Sequence, residues 1–183
     1  MKQKAHESML PLHLACANKQ GANSIKLLLA AYPESAVDRD IHGRLPLHWA
    51  IEKSAADDVI ILLINAFPGG VRATGYYPHL PLHLALDKGL SADVISELLH
   101  TYPGSAGEKD MFGVYPLRRS IKEKAQEAVV QLLLSDYPDG AADLDEYDRL
   151  AIHYACGRRM SYPLLENIIR ACPTCVAVSE QDI

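Results

Sequence analysis

Four histidines, His13, His48, His83 and His153, fall on multiples of one interval, and Arg118 occupies the remaining position. Zinc chemistry needs ligand nitrogens about 2.0–2.1 Å from a single ion. Residues repeating on stacked helices, about 8–10 Å apart, cannot converge that closely, so the histidines are expected to be structural. Cys172-Pro-Thr-Cys175 has the spacing of a thiol redox pair, which works where a thiolate is stabilised, typically at a helix N-terminus. The carboxylates Asp57-Asp58, Asp143 and Asp145 fall at turn positions and are expected as caps or solvated charges. Arg118-Arg119 and Arg158-Arg159 are too sparse for a phosphate-binding stripe. No phosphate loop, His-Glu-x-x-His or nucleophile elbow is present. The reading is of a non-enzyme with no catalytic residue, no metal, no cofactor and no small-molecule substrate.

The interval itself is the strongest signal. Pro11, Pro46, Pro81 and Pro116 are 35 residues apart, Ala151 is next, and each lies in a version of Leu-Pro-Leu-His. A second phrase keeps the same step: Tyr32-Pro33, Phe67-Pro68, Tyr102-Pro103, Tyr137-Pro138 and Cys172-Pro173. Copies without insertion or deletion indicate stacked supersecondary units. The expected organisation is one domain, 1–183, with repeats at 9–43, 44–78, 79–113, 114–148 and 149–183.

Each unit reads as two helices and a loop. Proline suits the first turn of a helix, and Leu47, Ala50 and Ile51 follow at helical spacing. A turn follows, with Gly21, Ser54 or Ser91 available to serve it or to cap the next helix. Ile60, Leu63, Ile64 and Phe67 then mark one face of a second helix, and Ile25, Leu28, Leu29 and Tyr32 repeat it. The proline after each aromatic ends that helix. About a dozen residues of loop or loose hairpin are expected beyond it, with Gly43 and Gly113 free to take positive φ and Asp148 in the same column. Pro78 stands there instead in the second unit, which implies a different turn.

This register resembles the ankyrin repeat, most closely in Asp40-Ile-His-Gly43-Arg-Leu-Pro46-Leu-His48-Trp-Ala50. The resemblance implies an all-α helix-turn-helix solenoid of five stacked repeats with projecting loops or hairpins. It also implies that the column histidine bonds neighbouring loop backbone. Three features depart from the family. Leu or Tyr replaces the Thr that caps the first helix, the step is 35 rather than 33, and an aromatic-Pro pair replaces the Gly after the second helix. In this register Cys172 falls in the aromatic column at a helix C-terminus, the wrong end for stabilising a thiolate. Trp49, whose column holds Leu14, Leu84, Arg119 and Tyr154, is expected to pack in the core.

Composition sets the remaining bounds. A net charge of −5 argues against nucleic acid as a partner, and no apolar run of membrane-spanning length exists. Residues 1–8 lack the apolar segment of a secretory signal. Four cysteines make no dense disulfide framework, which points to a reducing compartment, cytoplasmic or nuclear. The last unit reads as a polar cap, through Glu166, Asn167 and Arg170, whereas Leu27 and Ala31 leave the first unit apolar.

By the family resemblance, a protein partner is bound through loop tips and the first helices. The tip columns hold Ile41-His42, Tyr76-Tyr77, Met111-Phe112 and Glu146-Tyr147, flanked by Arg44 and His79. The first helices add Glu52, Lys53, Asp87 and Lys88. Aromatics at loop tips are favoured interface anchors, and the mixed charges would tune specificity. Two alternatives stand beside this adaptor reading: a fragment of a larger scaffold or regulatory protein, and a thiol redox protein using Cys172 and Cys175.

Overall fold

The computed structural model describes residues 9–75 and 78–176. Among them every regular element is a helix. Ten α-helices form five helix-turn-helix pairs, each on the 35-residue step. The pairs are α1 (Pro11–Ala17) with α2 (Ala22–Ala31), α3 (Pro46–Glu52) with α4 (Asp57–Ala66), and α5 (Pro81–Asp87) with α6 (Ala92–Thr101). They continue with α7 (Pro116–Lys122) and α8 (Glu127–Asp136), then α9 (Ala151–Gly157) and α10 (Tyr162–Ala171). The chain divides into two compact units, Met1–Tyr102 and Pro103–Ile183.

The first unit holds three pairs in two layers. The short helices α1, α3 and α5 pack in sequence in one layer, and α2, α4 and α6 form the other. Ile51, Val59, Ile60 and Ile64 are fully buried between them, as are Ala50 and Ala85, whose small side chains let neighbouring helices approach. The second unit repeats the plan with α7 against α8 and α9, and α10 against α8 and α9. Ile121, Val130, Leu133 and Ile168 fill its core.

The first helices begin without a hydroxyl cap, yet in α3, α5 and α9 one orphan amide is still satisfied. His48 Nδ1 accepts from the Leu45 N–H at 3.0 Å, His83 Nδ1 from Leu80 at 3.3 Å, and His153 Nδ1 from Leu150 at 3.0 Å. The imidazole at the third helical position thus performs the returning half of a capping box. Its other nitrogen bonds loop backbone: His48 Nε2 lies 2.9 Å from the Ala73 carbonyl, and His13 Nε2 lies 3.2 Å from that of Arg44. With Nδ1 accepting, the Nε2 of His48 carries the proton and donates. Arg118, in the same column, keeps the tie by other chemistry. Its Nη1 sits 3.0 Å from Asp143 Oδ2, 25 residues on, the same separation as His48 to Ala73.

Every first helix ends in a Schellman motif. The residue after the C-cap is left-handed in all five: Lys19 (φ 55°), Ser54 (50°), Gly89 (62°), Lys124 (62°) and Arg159 (54°). The following amide returns to the helix, as in Ala55 N–H to the Ala50 carbonyl at 2.8 Å and Met160 N–H to Ala155 at 3.2 Å. Ser54 is therefore not the cap of α4; Ala56 holds that position. Ser91 does cap α6, its Oγ accepting from Val94 N–H at 3.3 Å.

The second helices stop at the aromatic-Pro pair as the sequence implies. The loop expected beyond the proline is partly ordered as a 3-10 turn in each unit: Pro33–Ala36, Pro68–Arg72, Ser105–Gly107, Pro138–Ala142 and Pro173–Val176. The aromatic ring lies over the small residue three positions on. A Cβ on Gly70 would come within 3.1 Å of the Phe67 ring, and one on Gly140 within 3.3 Å of Tyr137. In the last unit this contact is covalent, because Cys172 and Cys175 are joined by a disulfide with Cα atoms 5.4 Å apart. The first unit's outer helix is the least covered. Ile25 is buried on α2, but Leu27 is 71% and Tyr32 50% exposed.

Candidate partner-binding site

Each described tip is built on an aspartate, buried at Asp40 and Asp110 and half-buried at Asp145. Asp40 Oδ1 accepts from the His42 amide at 2.8 Å and from the Arg44 amide at 2.9 Å. Asp110 does the same for Phe112 and Val114, and Asp145 for Tyr147 and Arg149, at matching distances. The loop also closes on itself: Asp40 N–H donates to the Arg44 carbonyl, and Gly43 N–H to that of Asp40, both at 2.9 Å. Gly43 (φ 74°), Gly113 (73°) and Asp148 (55°) take the left-handed conformation this turn demands.

The second carboxylate oxygen is held by side chains. Trp49 Nε1 donates to Asp40 Oδ2 at 3.0 Å, and Arg44 Nε donates to the same oxygen at 2.9 Å. Arg119 takes that role toward Asp110, and the Tyr154 hydroxyl donates to Asp145. Burial alone would raise these carboxyls, but the amides and side-chain donors outweigh it. All three are lowered, Asp145 to about 2. They remain ionised at neutral pH and lock the tips in one geometry.

The residues that these clamps hold are the ones that project. Ile41 is 69% exposed, Phe112 69% and Tyr147 65%, with Met111 and His42 also exposed. In each case the amide of the central tip residue, His42, Phe112 or Tyr147, is a bond the aspartate receives. Rigid presentation lowers the ordering entropy lost when such a side chain is captured. Tyr76 and Tyr77 lie outside the described residues.

The other anticipated contact residues divide by position. Arg44 sits over Trp49, its Cζ 3.8 Å from the ring centroid, and also reaches Glu52 Oε2 at 3.4 Å. Lys53 Nζ is 5.4 Å from the same ring. Arg44, Glu52 and Lys53 are thus one half-buried cluster around an indole, not free charges. Asp87 and Lys88 are exposed at the end of α5, and His79 meets His83 edge-on at 6.1 Å between ring centroids. Trp49 is a correction to the core-packing expectation: it is half-buried and serves as a hydrogen-bond donor and a platform for Arg44. The sequence reading also missed the role of Asp40, Asp110 and Asp145 as anchors. A donor nine residues after each aspartate is the signal that marks it.

Among the described residues no group of three His, Cys, Asp or Glu is placed to hold a metal ion. Among them, too, no helix is long and apolar enough to cross a membrane. No protein-family model matches the chain, and no curated protein matches it. The repeated helix-turn-helix architecture is therefore established by the chain's own register and packing.

Proposed function

We infer that the protein is a non-enzymatic interaction module of ankyrin type, which captures a protein partner through its loop tips and the adjoining first helices. The observation that carries this reading is the pairing of exposure with rigidity. Ile41, Phe112 and Tyr147 stand out in solvent on turns pinned by ionised aspartates, two of them buried and the third half-buried. Exposed large apolar side chains on a surface mark interaction sites, and aromatic anchors dominate interface energetics. The ankyrin character rests on the Asp40–Ala50 segment and on the His48 bond to loop backbone.

Replacing Ile41, Phe112 and Tyr147 together with Ser tests the assignment. All three are mostly exposed, so the changes at Ile41 and Phe112 should shift stability by about 0.5 kcal/mol and that at Tyr147, which loses the contact with Arg149, by about 1 kcal/mol. Quantitative affinity capture with wild type and variant side by side should show the wild type's partner lost from the variant at unchanged helical circular dichroism. Equal capture by both chains would remove the tips from the binding surface.

A further inference from the structure

Beside the Tyr147 tip, the second unit opens a cleft of about 260 Å³ lined by Arg149, His153, Tyr154, Gly157 and Arg158. It is smaller than the roughly 300–1,000 Å³ of pockets for drug-sized ligands, so it has room for a side chain rather than a cofactor. Its polar groups are nearly all donors. His153 lines the cleft with its Nδ1 already occupied as the acceptor of the Leu150 amide.

The two guanidinium groups are unequal. Arg149 is held between rings, its Cζ 4.7 Å from the Tyr147 centroid and 4.9 Å from that of Tyr154. Its Nε lies 3.4 Å from Asp145 Oδ2, which balances its charge. Arg158 donates through Nη2 to the Lys122 carbonyl, yet its Nη1 is buried with no hydrogen-bond partner. Among the described residues no carboxylate pairs with Arg158, and Asp143 is already engaged by Lys109 and Arg118. The cleft therefore carries about one uncompensated positive charge, on a chain whose formal net charge is −5. A buried, unpaired guanidinium N–H is costly unless a ligand satisfies it.

We propose that this cleft receives a side-chain carboxylate, an Asp or Glu of a partner peptide, on Arg158 and Arg149. A single negative charge matches the single uncompensated positive one, and a planar carboxylate suits guanidinium donors. The inference rests on the partner-binding reading above and supplies the chemistry of the partner.

A random twelve-residue peptide library displayed on phage, selected against the full chain with the R149Q/R158Q chain as competitor, tests this. Selected peptides should carry an Asp or Glu. Fluorescence anisotropy should show binding weakened at least tenfold by changing that residue to its amide, and equally by R158Q in a chain of unchanged circular dichroism. The R158K chain, which keeps the charge but not the planar fork, should fall between. Recovery of no peptides, of neutral or basic ones only, or of acidic ones indifferent to R158Q would overturn the proposal. A phosphoserine in place of the acid that binds more than tenfold tighter would overturn the choice of carboxylate. The F112S chain separates the two readings: acidic peptides that bind it normally but fail on R158Q uphold the cleft without the tips. Peptides lost on F112S alone sink the cleft and leave the tips standing.

Discussion

Trp49 Nε1 donates to Asp40 Oδ2 across 3.0 Å, and the two residues are nine positions apart in the chain. The same offset joins Asp110 to Arg119 and Asp145 to Tyr154. Indole, guanidinium and phenol have little in common except a proton to donate. Where the aspartate column holds Gly75, the partner column holds Leu84, and where it holds Ala5, Leu14. Carboxylate and donor are present together or absent together in all five repeats. Gly75 has its own reason to be small: a Cβ there would come 3.1 Å from the His48 ring and 3.2 Å from the Arg44 side chain.

A double-mutant cycle should expose this pairing as an energy. Changing Trp49 to Phe keeps the ring but removes the donor, and Asp40 to Asn removes the charge. We expect a coupling of about 1.5–3 kcal/mol, as for hydrogen bonds to charged groups, read from urea unfolding of the four chains. Additive effects would mean that Arg44 and the two amides hold Asp40 unaided.

His48 should make stability fall as the solution becomes mildly acidic. Burial depresses its pKa below 6.5, against the raising effect of the Ala73 carbonyl, so the unfolded chain takes up a proton first. The contribution is complete above about pH 6.5 and is lost as pH falls below that value toward the folded pKa. Protonation also removes the Nδ1 acceptor that caps Leu45. Urea midpoints measured from pH 7.5 to 5.5 should decline for wild type and decline less for H48Q.

Asp145 governs a lower range. Its folded pKa of about 2 lies beneath the ordinary carboxyl value of 3.8. Its stabilisation is therefore complete above about pH 4 and lost as pH falls through 2. D145N should be destabilised at neutral pH, by about 1–3 kcal/mol for a broken charge-assisted cluster, and the gap from wild type should close toward pH 2. A gap that does not change with pH would show that the carboxylate's charge is not what holds the tip.

Thiol chemistry should distinguish the four cysteines. Burial pushes Cys16 up to about 12 and it is fully enclosed, whereas Cys156 is exposed and Cys172 and Cys175 are joined. Unreduced native protein at neutral pH should take up one iodoacetamide, at Cys156, and a second at Cys16 only in urea. Peptide mass mapping reads the positions directly.

The helix pairs were legible because their signals are local. Proline at the start of each first helix and an aromatic-Pro pair after each second helix act within a turn or two of the residue that carries them. Gly43 and Gly113 were readable for the same reason. The His48 bond to loop backbone was expected through the ankyrin resemblance alone, since its partner comes close only in the assembled layers. The Trp49 contact and the ring-on-glycine packing of Phe67 on Gly70 were not foreseen, and column apolarity hid the Trp49 donor behind Leu14 and Leu84. The 3-10 turns escaped notice because Asp, Gly and Ser look alike in a turn and in an open loop.

The left-handed residue that closes each first helix has a consequence for engineering. Four of the five are Lys, Ser, Lys and Arg, residues for which that conformation costs roughly 1–2 kcal/mol, and only Gly89 adopts it freely. A consensus repeat built from this chain by majority vote would copy lysine into the site and inherit the penalty in every unit. The minority residue is the better template, and an array designed on Gly89 would accumulate its advantage with each repeat added.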